Sequence, residues 1–152
     1  MVLRLPAAAL LTLCLGMAWT AARHIPADYR FSLAEAELTF WGRDDYQPNP
    51  GVRQRTAVVI EGLLEGRPHH PDYWTLRAGQ LAWEAWWSED DSAALQLQRD
   101  ALAAQWQSLL YRPAYRAGWA TLARYAEAAE DGDTAAEALA RETALGRATR
   151  YN

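Results

Sequence analysis

The sequence predicts an all-α protein built from repeated antiparallel helix pairs, preceded by an N-terminal signal anchor or signal peptide helix. Three observations predict this class: Val and Ile are scarce beside Ala and Leu, helix-capping residues are frequent, and one frame of residues occurs twice. Apolar residues make up 51% of the 152 residues, with Gly and Pro clustered between apolar runs. We expect one helical domain after the export segment.

Residues 1–22 have the composition of a signal peptide or membrane anchor. Residues 5–22 carry no charge, Arg4 precedes them and Arg23 follows at once. This length is at the lower limit of a bilayer span, so we favour an uncleaved anchor over a cleaved signal peptide. Either interpretation places the rest of the chain outside the cytoplasm, in the inner membrane facing the periplasm or free in the periplasm.

Residues 23–48 are predicted to hold one short helix and a linker. Ser32 and Glu35 have the spacing of a capping box, which predicts a helix over 33–41 that Gly42 ends. Polar residues then lead to the helical domain, residues 49–152. Its first helix is predicted to have Asn49 as its cap and to run from Pro50 to Gly66.

The two related segments are LLEGRPHHPDYWTLRA and SLLYRPAYRAGWATLA. An offset of 45 residues places Arg67-Pro68 on Arg112-Pro113 and Trp74 on Trp119. We therefore expect a helix to start at each proline, and we expect the two tryptophans to occupy equivalent core positions.

A weaker third helix end follows, 35 residues after Arg112, close to the period of about 34 residues that marks tetratricopeptide arrays. The first spacing, 45 residues, is longer than this period, and we attribute the difference to an insertion at the acidic break 88–92. Ser92 is the predicted cap of the next helix. Thr134 and Glu137 form a second predicted capping box before the final helix. Residues 49–152 are thus predicted to be tetratricopeptide-like helix pairs forming a short solenoid.

Three of the eight tryptophans, Trp83, Trp86 and Trp87, fall on one predicted helix face. The opposite face is also apolar, as expected for an inner helix of stacked pairs, and core packing is the favoured interpretation. The alternative is a binding surface, because indole rings stack on the apolar faces of sugars and also suit a membrane interface.

Arg67 and Arg112 are the other candidate binding residues. Each precedes a proline that we expect to start a helix, where an arginine can hold an anionic group or hydrogen-bond the last carbonyls of the preceding helix. We favour the second role, because the ends of helices need hydrogen-bond partners.

Composition argues against several classes of function. All fifteen basic residues are Arg, against nineteen acidic residues, so nucleic acid is not an expected partner. The adjacent His69 and His70 lack zinc-ligand spacing, and the only cysteine, Cys14, lies in the export segment. We expect no cofactor, no metal site and no catalytic residues, and we interpret Glu61 and Glu65 as an exposed polar face.

The frames RPHHPDYWTLRAG and RPAYRAGWATLARY and the ending ARETALGRA resemble the small exopolysaccharide biosynthesis proteins of the VpsP family. The resemblance covers about residues 55–150 and the N-terminal segment, with Gly146-Arg147-Ala148 standing where a proline is usual. It implies an anchored, exported, tetratricopeptide-like chain that supports assembly or export of a surface polysaccharide. A polysaccharide polymerase or ligase in the membrane would be its protein partner.

The sequence therefore favours a non-catalytic scaffold of the cell envelope. The alternatives are a glycan-binding module that uses the tryptophans, and an interaction adaptor of another envelope secretion system. A glycan-cleaving enzyme with a carboxylate pair is the least favoured hypothesis.

The uncharged segment 5–22 generates a first testable prediction. The full-length protein is expected to fractionate with membranes, and its helical domain is expected to be digested by protease added from the periplasmic side. A chain that is mainly soluble in the cytoplasmic fraction would contradict the predicted export.

Overall fold

The chain folds into helices joined by short connections. The computed structural model describes the backbone of residues 4–148 and the side chains of residues 10, 12–15, 17, 19 and 26–148. Within residues 4–148 no strand is present, so the all-α class is confirmed. The helices in this range are α1 (Arg4–Trp41), α2 (Pro50–Gly66), α3 (Pro71–Trp86), α4 (Asp91–Tyr111), α5 (Arg116–Ala128) and α6 (Gly132–Ala148).

Helix α1 is much longer than the short helix expected over 33–41. It continues through Ser32 and Glu35 and contains Pro26, so the predicted start at a capping box is wrong. The amides that such a box would satisfy already have carbonyl partners one turn earlier in a continuous helix. The predicted end is confirmed, because the helix stops at Trp41, directly before Gly42.

The predicted export segment lies largely outside the described side chains, so its identity stays a prediction. Among the residues that the structure describes, no helix is both long enough and apolar enough to cross a membrane.

Helix α2 has the predicted bounds. The side chain of Asn49 accepts a hydrogen bond from the amide of Val52 at 3.0 Å, and Pro50 occupies the first turn. Thr56, Ile60 and Leu63 are buried on the face that the apolar spacing indicates.

Aspartates, rather than the predicted Ser92 and Thr134, cap helices α4 and α6. Asp90 accepts hydrogen bonds from the hydroxyl and amide of Ser92, and Asp131 accepts them from those of Thr134. These bonds, above all those from the two hydroxyls, hold the pKa of both carboxyls below the usual value. A carboxylate accepts several bonds at once, so the helix starts earlier than a hydroxyl cap would place it.

Both Arg-Pro connections have the same local structure. The indole N–H of Trp74 donates to the carbonyl of Pro68 at 2.7 Å, and that of Trp119 donates to the carbonyl of Pro113 at 2.7 Å. The backbone of Arg67 (φ −146°, ψ 76°) matches that of Arg112 (φ −144°, ψ 63°). The prolines therefore lie in turns, and the expectation that they start α3 and α5 is wrong.

Helices that follow one another pack in pairs, and α3 joins the pairs together. It packs on α4 and also contacts α1 and α2, while α5 contacts α4 and α6. The first core cluster includes Ile60, Leu63, Tyr73 and Leu76 between α2 and α3 with Ala34 of α1. Ala78, Leu81, Ala101 and Ala104 form a second between α3 and α4, where small side chains allow close packing. A third, among α4, α5 and α6, centres on Trp119 and Leu122.

The two related tryptophans differ in burial. Trp119 is 8% exposed and meets Trp106 edge to face, at 5.8 Å between centroids. Trp74 is only partly buried, because its ring borders a surface depression between α3 and α4. The expectation of equal core positions is therefore wrong, although the hydrogen bond of each indole is conserved between the two connections.

Replacement of each tryptophan tests this difference. Trp119→Ala is expected to lower the free energy of unfolding by about 3–5 kcal/mol, because it leaves a cavity in a closed core. Trp74→Ala is expected to cost roughly half as much, since less apolar area leaves water there on folding. Urea unfolding followed by circular dichroism measures both. Equal costs, or no cost at either position, would contradict the described packing.

Gly118 marks the closest approach of α5 to α4. A Cβ atom at this position would lie 2.7 Å from Cδ1 of Tyr115 and 2.9 Å from Cδ2 of Leu109. The carbonyl of Gly118 accepts a hydrogen bond from Nε2 of the fully buried Gln105 at 3.1 Å. A larger residue would push the two helices apart and strain this buried bond.

Gly118→Ala is therefore expected to destabilise the fold by about 1–3 kcal/mol through overpacking. Gly62→Ala is the matched control, because Gly62 also lies in a helix and nothing stands within 4 Å of its added Cβ. This second change is expected to stabilise the protein by about 0.5–1 kcal/mol, since Ala favours helix over Gly. Melting temperatures that move in the same direction for the two variants would refute the close approach.

Candidate functional site

A cleft lies between the α1–α2 connection and the C-terminal end of α3. We refer to it as the Trp cleft. Its volume is about 290 Å³. Its apolar wall is formed by four tryptophans, and its polar wall comes from the connection that follows α1. The lining residues are Trp41, Trp83, Trp86 and Trp87 on the first wall and Gly42, Arg43, Asp44, Tyr46 and Gln47 on the second.

Three of the indole rings support one another. Trp83 and Trp87 stack with their centroids 5.7 Å apart and an interplanar angle of 22°. Trp41 tilts against Trp87 at 5.1 Å and is itself 3% exposed. Aromatic pairs at these distances add to the energy of simple burial, so the apolar wall is formed before any ligand arrives.

An ion pair holds the stack from the side of α2. The guanidinium of Arg53 lies 5.3 Å from the ring centre of Trp87, and its Nη1 is 3.2 Å from Oε2 of Glu84. Both charged side chains are less than a third exposed. The pair therefore fixes the position of Trp87 and leaves this part of the cleft without a net charge.

Glu37 anchors both walls from α1. Its Oε1 accepts the indole N–H of Trp41 at 2.9 Å and the hydroxyl of Tyr46 at 2.5 Å. The bond to Glu37 is the main reason that the pKa of Tyr46 is raised above its usual value, so the phenol stays protonated. The connection after α1 is in this way tied to the helix that precedes it.

Trp86 differs from its neighbours in being 77% exposed at the rim of the Trp cleft. Trp83 and Trp87 are half-buried. The sequence prediction left core packing and a binding surface open for all three residues. The structure brings Trp83 and Trp87 together in a partly packed stack and leaves the ring of Trp86 in solvent.

The two predicted arginines lie away from the Trp cleft. Arg112 pairs with Asp72 in the first turn of α3, at 2.8 Å, and its guanidinium lies 4.0 Å from the ring centre of Tyr115. The end of α3 that lines the cleft is about 20 Å from this first turn at the normal helical rise. Arg67 is half-buried in the equivalent connection.

The backbone amide of each arginine donates a hydrogen bond to the end of the preceding helix. The amide of Arg67 donates to the carbonyl of Leu63 at 3.0 Å, and that of Arg112 donates to the carbonyl of Leu109 at 3.2 Å. One carbonyl at each helix end is thus bonded to a main-chain group that any residue other than proline would supply.

The adjacent histidines form surface contacts near the same connections. His69 bonds to the hydroxyl of Tyr111 at 2.8 Å, and the ring of His70 stacks on Tyr73 at 4.1 Å. Among the described residues, no group of three His, Cys, Asp or Glu side chains is placed to hold a metal ion.

Sequence reasoning missed half of the cleft. Trp41, Glu37 and the connection residues 42–47 come from a part of the chain interpreted as a short helix and linker. The sequence feature that could have identified this half of the cleft is a tryptophan followed directly by Gly42 and a run of polar side chains. Only folding shows that this run faces the tryptophans of α3, which lie about 40 residues later in the chain.

Comparisons of the chain with protein-family models, with curated proteins and with solved structures found no match.

The differing burial of the tryptophans predicts opposite outcomes for two neighbouring substitutions. Trp87→Ala is expected to destabilise the protein by about 2–4 kcal/mol, because it removes the ring between Trp41, Trp83 and Arg53. Trp86→Ala is expected to change the free energy of unfolding by less than about 0.5 kcal/mol, as for other exposed positions. Urea unfolding of both variants provides the test. A large loss from Trp86→Ala would contradict its exposed position.

Proposed function

We propose that this protein is a non-catalytic helical-repeat scaffold that binds another protein along helix α4 and supports assembly or export of a surface polysaccharide. Its helix pairs and the shared geometry of its Arg-Pro connections support a tetratricopeptide-like array, in which such pairs stack into a short solenoid. Arrays of this kind present extended surfaces to partners, with no need for a catalytic centre.

The single observation that carries the binding proposal is a groove on α4. Two adjoining depressions, of about 320 Å³ and 260 Å³, share Ala103 and Gln107 on the outer face of this helix. We refer to them together as the α4 groove. One depression extends to Thr134 of α6, and the other extends to Trp74 and Leu81 of α3. The exposed small side chain of Ala103 leaves room for a partner backbone to lie against α4.

The charge of the α4 groove favours an acidic partner segment. Arg77 and Arg99 line it, against the single carboxylate of Asp100. Gln80 holds the guanidinium of Arg77 through its Oε1 at 2.8 Å, while Asp100 accepts a bond from Gln96 at 3.0 Å. An amphipathic segment with apolar residues for the depressions and carboxylates for the two arginines fits this pattern.

The envelope location rests on the N-terminal segment and on the family resemblance. Large apolar side chains on the first half of α1 are 62–67% exposed, as an anchor or a signal peptide would require. The residues are Leu10, Leu13, Leu15, Met17 and Trp19. The resemblance to exopolysaccharide biosynthesis proteins supports a membrane polymerase or ligase as the partner.

The groove can be tested in the native host by complementing a deletion strain. The deletion is expected to reduce extracellular polysaccharide, and the wild-type chain is expected to restore it. The double variant Arg77→Glu/Arg99→Glu is expected to fail, because it repels the acidic segment. Arg124→Glu is the control, since Arg124 is exposed on α5 outside the groove.

A photo-crosslinking residue at position 103 provides the direct readout in the same strain. It is expected to join the chain to one polysaccharide-assembly protein, whereas the same residue at the exposed position 140 of α6 is expected to give no adduct. Full restoration of polysaccharide by the double variant would contradict binding along α4. Unchanged polysaccharide in the deletion strain would contradict the role in the envelope.

A further inference from the structure

We infer that the Trp cleft is a saccharide-binding site, and that its ligand is a neutral sugar unit with a flat apolar face, such as glucose or galactose. This function goes beyond the scaffold proposal. The two stand or fall separately, because the Trp cleft and the α4 groove share no lining residue.

The apolar wall of the cleft has a shape that suits a sugar ring. A sugar ring offers a face of C–H groups that stacks on an indole, and the energy of stacking is greatest when the indole is already held in place. Trp83 and Trp87 are held by mutual stacking, and Trp41 packs against Trp87. Trp86 stands 77% exposed at the rim, where a ring can lie against it.

Hydrogen-bonding groups surround this wall. No hydrogen bond within the described part of the chain uses the indole N–H of Trp83, Trp86 or Trp87. Opposite them, Arg43 supplies donors, Asp44 supplies acceptors and Gln47 supplies both. A polyhydroxyl ligand needs this mixture, since each of its hydroxyls both donates and accepts.

The charges around the cleft favour a neutral ligand. Arg43 lies 3.4 Å from Asp45, and Arg53 lies 3.2 Å from Glu84, so each of these two arginines already has a carboxylate partner. An anionic sugar or a phosphate would have to displace one of these pairs. The exposed acids Asp44 and Asp45 at the rim also repel an anionic membrane surface, which disfavours the lipid interface as the occupant.

The volume of the cleft limits the size of the ligand. At about 290 Å³ it is at the lower end of small-molecule sites in proteins, so it holds one or two sugar rings rather than a long stretch of polymer. Since Trp86 stands at the open rim, the remaining rings of a longer chain extend from the cleft into solvent.

The test uses the full chain, purified in a detergent without a sugar headgroup. It is titrated with hexasaccharides of β-1,4-glucose, β-1,3-glucose, α-1,4-glucose and β-1,4-galactose, and both heat and tryptophan fluorescence are measured. At least one hexasaccharide is expected to bind and to shift the emission to the blue, because stacking removes water from the ring of Trp86.

Three variants separate the cleft from other causes. Trp86→Ala is expected to weaken binding at least about tenfold and to leave the melting temperature unchanged, as for a central contact of a binding site. Tyr29→Ala is the matched control, because Tyr29 is an aromatic side chain of α1 that is 65% exposed but lies outside the cleft, and binding should stay within about twofold. Asp44→Asn should also retain binding, since an amide keeps an acceptor and a neutral ligand does not need the charge.

Three results would overturn the inference. The first is that the wild-type chain binds none of the hexasaccharides. The second is that Trp86→Ala binds them as tightly as the wild type does. The third is that Asp44→Asn abolishes binding, because the ligand would then need the negative charge that a neutral sugar does not.

Discussion

Helix α3 packs on both of its sides, and the arrangement of the other helices depends on this. One side contributes Tyr73 and Leu76 to the core shared with α1 and α2. The other contributes Ala78 and Leu81 to the interface with α4, where alanines of both helices allow close contact. A helix with two apolar sides has no stable position at the edge of a bundle, since one side would remain in water. The pairs on either side are therefore brought together by the burial of α3.

The Arg-Pro connections set the angle and register of the helices that they join. Proline restricts the backbone at the turn, and the indole bond to the proline carbonyl closes each connection over six residues. The indole ring that donates this bond also packs against a core cluster, so the bond couples the turn to the core. This explains why one short sequence frame gives the same backbone at two positions with different neighbours, whereas the burial of the two indoles follows those neighbours.

The packing of α3 also creates both candidate binding regions. Its C-terminal end extends past the core and presents Trp83, Trp86 and Trp87 to the α1–α2 connection, which gives the Trp cleft. Its outer edge leaves Arg77 and Leu81 beside α4, which gives one half of the α4 groove. Two surfaces that share one helix fit the two proposals, a protein partner on one surface and a saccharide on the other. The first surface is apolar with balanced charge, and the second is basic, so the two proposed ligands differ in chemistry.

The sequence by itself determined the helical class, the bounds of α2 and the correspondence between the two Arg-Pro frames, because these depend on local rules of capping, propensity and turn chemistry. It also identified Trp83, Trp86 and Trp87 as a group, since helical periodicity places them on one face. Local rules failed where two of them compete. Asp90 and Asp131 outcompete nearby hydroxyls as caps, and a continuous α1 makes the capping box at Ser32 unnecessary.

The tertiary structure alone decided which tryptophans are covered, because burial depends on residues far away in the chain. Trp41 and Arg53 cover Trp87, and Trp106 covers Trp119. Trp86 has no such neighbour among the described residues and stays 77% exposed.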